Sequence, residues 1–79
     1  MAALAPIPAR KLKAMFEEYG YVVVHEDDYN WAMERGPGDE TLIIPKLGEV
    51  LAIEVMDSLL AKAKINDRKY FELLAKVSR

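Results

Sequence analysis

The stretch GYVVVHEDDYNWAMERGPGDETLIIP, from Gly20 to Pro45, decides the fold class of this chain. It holds three runs rich in β-branched and aromatic residues, which are typical of strands: residues 21–25, 29–35 and 41–44. The acidic residues 26–28 separate the first two runs. Gly-Pro-Gly-Asp at 36–39, before the third run, has the composition of a turn. Pro45 cannot donate to a strand ladder, so we expect it to close the third run. The stretch predicts a three-stranded antiparallel meander.

Helical patterns lie on both sides of this meander. Before it, apolar residues recur at helical spacing behind a proline suited to a first turn: Pro8, Leu12, Met15, Phe16 and Tyr19. Gly20 is expected to end this helix, because only glycine takes the left-handed conformation after a helix without strain. After the meander, an apolar stripe predicts a helix over roughly Ala52 to Lys64, with these residues on its buried side: Ile53, Met56, Leu60 and Ala63, broadened by Val55 and Leu59.

A last helix is predicted after a short break. Asn66 can accept a hydrogen bond from a free amide at its start, and Ile65 can pack on Tyr70. The predicted buried face consists of Tyr70, Phe71, Leu74 and Val77. The sequence therefore predicts an α+β two-layer domain with the helices on one face of the sheet. Its predicted element order is α-β-β-β-α with an extra C-terminal helix.

The composition limits the class of protein. The chain has 79 residues and no Cys, which predicts one domain over 1–79 with one core and neither disulfides nor thiolate metal sites. No segment is long enough to span a bilayer, and the first eight residues lack the basic start and long apolar run of a signal peptide. We therefore expect a cytosolic protein without a membrane partner. No residue pattern indicates a cofactor.

The charges are segregated along the chain. The formal net charge of -2 argues against wrapping nucleic acid by bulk electrostatics. Basic residues nevertheless concentrate near the two ends: Arg10, Lys11, Lys13, Lys62, Lys64, Arg68, Lys69, Lys76 and Arg79. If the first and last helices pack side by side, these residues form one basic stripe that suits a phosphate backbone. The alternative is ordinary solvated helix faces.

Several segments together resemble the HicA toxins of bacterial toxin–antitoxin pairs. The segments that carry the resemblance, in matching order and spacing, are Ile7 to Leu12, Tyr19 to Val24, Met33, Thr41 to Pro45, Leu59 to Asn66 and Phe71 to Leu74. The resemblance implies a double-stranded-RNA-binding-like fold, cleavage of messenger RNA, and silencing by a HicB antitoxin bound over the active face.

The chain departs from that family at its catalytic position. Where the family has Gly-Ser-His at the start of the second strand, this chain has Asp28, Tyr29 and Asn30. An Asn amide can hydrogen-bond a phosphate or a 2′-hydroxyl, but it has no proton to exchange near pH 7 and cannot replace an imidazole in acid–base chemistry. The carboxylates of residues 26–28 would also repel an RNA backbone. We therefore expect that this chain lacks the family's ribonuclease activity.

His25, the only histidine, is the other candidate for catalysis. It is expected at the end of the first strand, near the turn, where its imidazole either faces the family's groove or is exposed and bonded to a carboxylate such as Glu26. The three consecutive acidic residues 26–28 cannot all aim at one ion, so a solvated turn is favoured over a metal site.

Two functions remain open from the sequence. The first is a non-catalytic module whose strand surface, formed by Tyr29, Asn30, Trp31 and Met33, binds a HicB-like antitoxin or a second copy of the chain. Trp31, Tyr29 and Tyr21 can also stack on unpaired bases, although such aromatic residues are more often core or interface residues. The second is an RNA binder or messenger-RNA-cleaving enzyme that uses Arg10, Lys11 and Lys13 together with His25 or Asn30.

Overall fold

A computed structural model describes residues 5–46 and 50–78 of the chain. Its helices and strands, in chain order, are α1 (Ala9–Glu18), β1 (Val22–Glu26), β2 (Asn30–Glu34), β3 (Leu42–Pro45), α2 (Ile53–Lys62) and α3 (Asp67–Val77). This α-β-β-β-α-α order confirms the predicted α+β class. Within the described part of the chain, no helix is long and apolar enough to cross a membrane.

The three strands form an antiparallel sheet in the order β1-β2-β3. Two rows of side chains run across it, one on each face: Val23–Met33–Leu42 and His25–Ala32–Ile43. Between these rows the register of β1 shifts at Val24, which is a β-bulge. Pro45 is the last residue of β3 and lies opposite Asn30, at the sheet edge where a missing amide hydrogen costs no ladder bond.

The helices cover one face of the sheet, which we call the inner face. Its side chains on β2 and β3 are almost completely buried: Trp31, Met33, Leu42 and Ile44. They pack in one core with apolar residues from all three helices: Leu12, Met15, Phe16, Met56, Leu59, Leu60, Tyr70 and Leu73. Trp31 and Met33 therefore share one face of β2, as predicted. The opposite, outer face has no helix layer over it in the described residues.

The end of α1 follows the glycine prediction. Gly20 has a φ of +105°, the amide of Tyr21 donates to the carbonyl of Phe16 at 2.9 Å, and the amide of Gly20 donates to Glu17 at 3.1 Å. This double hydrogen bond is the Schellman arrangement, which satisfies carbonyls that the helix would otherwise leave unpaired. The rings of Tyr21 and Phe16 then meet edge to face at 5.5 Å, so the turn leads β1 directly into the core.

The end of α2 has the same arrangement without a glycine. Ile65 donates to Leu60 at 2.9 Å and Lys64 donates to Ala61 at 3.1 Å, while Lys64 has a φ of 59°. A left-handed conformation costs an L-residue about 1–2 kcal/mol. Burial of Ile65 offsets that cost by drawing the chain back onto the core. The helix therefore ends at Lys62. The apolar stripe had predicted an end at about Lys64, two residues later.

The start of α3 was predicted correctly and its buried face only in part. The Asn66 side chain accepts a hydrogen bond from the amide of Lys69 at 2.8 Å, which confirms the cap. Tyr70 is buried as predicted, and Leu73 takes the second buried position. Phe71 is exposed, because α3 packs against α1 along the 70–73 side and turns residue 71 outward. Ile53, at the start of α2, is likewise exposed and not buried.

Candidate functional site

The β1–β2 turn is built around the carboxylate of Asp27. Its Oδ1 accepts hydrogen bonds from the amides of Tyr29 at 2.8 Å and Asn30 at 2.7 Å, and its own amide donates to the Asn30 carbonyl at 3.0 Å. The bonds from Tyr29 and Asn30 hold the pKa of Asp27 below its usual value. Asp27 is thus ionised at neutral pH and fixes the position that the family resemblance assigns to the catalytic residue.

His25 lies beside this turn, at the exposed end of β1. Its side chain is 72% exposed, and its Nε2 is 3.9 Å from Oδ2 of Asp27. That distance is too long for a hydrogen bond, so the contact is an ion pair only when the imidazole is protonated. The sequence predicted Glu26 as an example of the neighbouring carboxylate. Glu26 instead points away and binds Lys46.

Two lysines flank the indole ring of Trp31. The Nζ atoms of Lys46 and Lys13 lie 5.1 Å and 5.5 Å from the ring centre, within the range of cation–π attraction. The Lys46 ammonium donates to Glu26, and this hydrogen bond lowers the pKa of that carboxyl group. The Lys13 ammonium lies 3.3 Å from Glu17. Each ammonium group therefore already contacts an aromatic ring and a carboxylate, so its charge stabilises the fold.

The candidate residues lie on different faces of the sheet. His25 is opposite Ala32 in the strand register, and Asn30 is two residues from Ala32, so both belong to the outer face. Trp31 belongs to the inner face, and Lys13 reaches its ring from α1. The sheet therefore lies between the basic residues of α1 and the two candidate catalytic residues.

The three predicted RNA-binding residues of α1 do not form one patch. Lys11 donates to the Ser78 hydroxyl at 3.2 Å, at the α3 side of the helix, whereas Lys13 points to Trp31. Arg10 is exposed. The first and last helices do pack side by side, but the groove between them is lined by Ala14, Glu17, Glu18 and Val77. Two glutamates thus interrupt the basic stripe, which the sequence left open as the alternative to ordinary solvated helix faces.

The predicted partner surface requires one correction. Trp31 is only 7% exposed and Met33 is completely buried, because their side chains point to the inner face and pack under the helices. The prediction that these two residues present a surface to a partner is wrong. Tyr29, in the turn, is 62% exposed, and Asn30 is half-buried. Of the four predicted contact residues, only these two are accessible.

The outer face carries an exposed aliphatic surface that was not predicted from the sequence. Val22, Val24 and Ile43 are each at least half exposed there, at 59%, 53% and 50%. The alternation of β3 contained a signal for Ile43, since it lies between the core residues Leu42 and Ile44. Alternation from Val22 likewise predicts an outward Val24, but nothing in the run of three valines marks the bulge at this point, which turns His25 to the same outer face.

The remaining chemistry of the site is limited. Within residues 5–46 and 50–78, no group of three or more His, Asp or Glu side chains is arranged to hold a metal ion. The comparisons of this chain with protein-family models, with curated proteins and with solved structures find no match.

Proposed function

We propose that this chain is a HicA-like cytosolic module that binds a partner protein and does not cleave RNA. The observation that carries the proposal is the position of the only imidazole. His25 is an exposed residue whose charged neighbour is the carboxylate of Asp27, and Asn30 occupies the position at which the resembling family has its histidine. A ribonuclease needs a group that exchanges a proton close to the reacting phosphate.

The environment of Asn30 supports the non-catalytic interpretation. Its amide N–H and carbonyl are both engaged with Asp27, and its carboxamide does not titrate near pH 7. Asp27 and Asp28 add two negative charges at the turn. These carboxylates repel phosphate groups that approach this end of the sheet.

The same end of the sheet suits a protein partner. Tyr29 offers an exposed ring at the turn, and Val24 offers an aliphatic contact on the outer face. Tyrosine combines a large apolar area with a polar tip, which explains its frequency in interfaces. The acidic turn beside these residues favours basic side chains on the partner. A HicB-like antitoxin with such a surface is the partner that we propose.

One observation favours a second candidate, which is RNA cleavage by His25. A carboxylate near an imidazole is an arrangement that acid–base catalysis uses, and Asp27 lies 3.9 Å from His25. In this alternative His25 would act with Asn30 on the outer face, without the α1 lysines. We rank it second because His25 is open to solvent and faces an anion.

The scaffold is tested by restoring the family residues. The triple variant Asp28→Gly, Tyr29→Ser, Asn30→His introduces an imidazole at the first residue of β2, and we expect growth arrest when it is expressed in bacteria. The matched control carries Asn30→Gln in place of Asn30→His and should be harmless. If the folded triple variant causes no arrest, the HicA-like assignment is contradicted.

The partner surface is tested by co-expression with the product of the adjacent reading frame. We expect a stable complex that Val24→Asp and Tyr29→Ser each weaken at least tenfold, because they remove apolar contact area at the turn. Phe71→Ser, on the exposed side of α3, is the control and should leave the affinity unchanged. A complex that tolerates both turn variants but not the control would contradict the proposed surface.

A further inference from the structure

A groove of about 290 Å³ lies between Ile43 of the edge strand β3 and helix α2, away from the β1–β2 turn. Its lining consists of Ile43, Glu54, Val55, Ser58, Leu59 and Lys62. Ile43 forms its strand side and is half exposed, while Val55 on α2 is half-buried. The groove is therefore apolar along its centre.

The charged residues of this groove stand at its opposite ends. Glu54, Ser58 and Lys62 are spaced by four residues and so lie along one side of α2, with the small serine midway between the two charges. Across the ranges 5–46 and 50–78, neither Glu54 nor Lys62 has an ion-pair partner. Eight helical residues separate the charges by about 12 Å.

We propose that this groove is the interface of a two-fold symmetric dimer, with a second copy of the chain as its occupant. In this dimer the two α2 helices cross antiparallel at Ser58. Glu54 then lies opposite Lys62 of the partner subunit, and Lys62 lies opposite Glu54 of the partner subunit. The side chain of Ile43 enters the apolar centre of the interface.

Charge complementarity selects a second copy over other occupants. A surface with opposite charges at equal distances from its centre matches its own copy after a two-fold rotation, which is the condition for an isologous interface. A small residue at the crossing point lets two helices approach closely. Two further exposed aliphatic residues extend the apolar area: Ile53, the first residue of α2, and Val50, which precedes the helix.

The size of the molecule indicates a reversible dimer. A stable interface takes about 800 Å² from each partner, which is roughly a sixth of the 5141 Å² surface of this chain. Six residues line the groove, against about 20–30 on each side of a standard interface, so we expect association in the micromolar range or weaker. The proposal is independent of the proposed function, because the turn that would bind a partner protein is a separate surface.

Charge reversal tests the symmetry directly by sedimentation velocity over a wide range of concentration. The wild-type chain should shift from its monomer mass of 9.0 kDa towards twice that mass. Glu54→Lys alone and Lys62→Glu alone should each weaken association at least tenfold, because like charges then meet at both ends. An equimolar mixture of the two variants should recover the dimer, since every Lys then faces a Glu.

Two outcomes would overturn the proposal: a wild-type chain that stays monomeric at the highest concentration, or a mixture of folded variants that associates no better than either variant alone. Circular dichroism establishes that each variant is folded. Ile43→Glu provides a second test and should abolish the dimer. Its control is Val22→Glu, at a similarly exposed aliphatic position on the far strand, which should leave the dimer intact. If Ile43→Glu and Val22→Glu abolish the dimer equally, the proposed α2 interface is contradicted.

Discussion

The two faces of the sheet have the same strands but different environments. On β3, Leu42 is completely buried and its neighbour Ile43 is half exposed, although both are aliphatic residues of the same size. On β2, Trp31 and Met33 are in the core. Asn30, which precedes Trp31, and Ala32, which lies between the two core residues, face outward. The inner face thus provides the stability of the fold, and the outer face is available for contacts with other molecules.

The charged residues follow the same division. Lys13 and Lys46 belong to the inner side, where they cover the edge of the core at Trp31. His25 belongs to the outer side and has no such role. The position of Lys13 and Lys46 near the candidate site is therefore not evidence of an RNA-binding surface, because their charges already contact the ring of Trp31.

The largest effect is expected from truncation on the inner face. Leu42→Ala removes three buried carbons and leaves a cavity, so the free energy of unfolding should fall by about 2–5 kcal/mol. The adjacent Ile43→Ala should lower it by less than about 1 kcal/mol, because that side chain is already half in water. Urea unfolding at low protein concentration measures both. Equal losses would mean that the two faces are not different in packing.

A smaller effect is expected from the lysines that flank Trp31. Lys46→Met keeps an apolar stem but removes the cation, so we expect a loss of about 0.5–1 kcal/mol in the free energy of unfolding, the size of an exposed cation–π contact. RNA affinity should not change. The control Lys76→Met lies on α3, away from the indole. A large drop in RNA affinity for Lys46→Met, with unchanged stability, would assign this lysine to a binding surface.

The turn should make stability depend on pH. Its hydrogen bonds lower the pKa of Asp27 from 3.8 in the unfolded chain, so this contribution is complete above that pKa and is lost as the pH falls through the folded value. Asp27→Asn retains an acceptor but not the charge, and its urea midpoint should fall less than that of the wild type between pH 7 and pH 3. Asp28→Asn, one residue along, is the control. Parallel pH profiles for Asp27→Asn and the wild type would contradict the role of this carboxylate.

The smallest effect is expected at the exposed imidazole. His25→Ala removes a side chain with no hydrogen bond in the described residues, so the free energy of unfolding should change by less than about 0.5 kcal/mol at both pH 5 and pH 8. Thermal unfolding is sufficient to measure this. A marked stabilisation or loss at either pH would show that His25 is engaged in contacts that its exposure does not indicate.

Most of the fold could be predicted from local signals. The three strand runs, Gly20 and the Asn66 cap each act through the conformation of a few neighbouring residues, which the sequence displays directly. The end of α2 could not be predicted, because Lys64 takes a left-handed conformation that only the burial of the following Ile65 explains. The same limit applies to Phe71, whose exposure depends on how α3 meets α1.

The candidate site was less predictable, because it depends on which face the helices cover. Strand alternation placed Trp31 and Met33 on one side of β2, but it does not distinguish the covered side from the open one. The sequence therefore assigned two core residues to a partner surface. It also grouped Lys13 with His25, and only the layer order shows that the sheet lies between them. That Asn30 stands where the resembling family has a histidine, by contrast, can be seen in the sequence alone.

Incubation of the purified chain with structured and single-stranded RNA tests most directly whether Asn30 or His25 supports catalysis. We expect both RNAs to stay intact over long incubation, at the same level as with His25→Ala and Asn30→Ala. Multiple-turnover cleavage by the wild-type chain that His25→Ala abolishes would contradict this expectation.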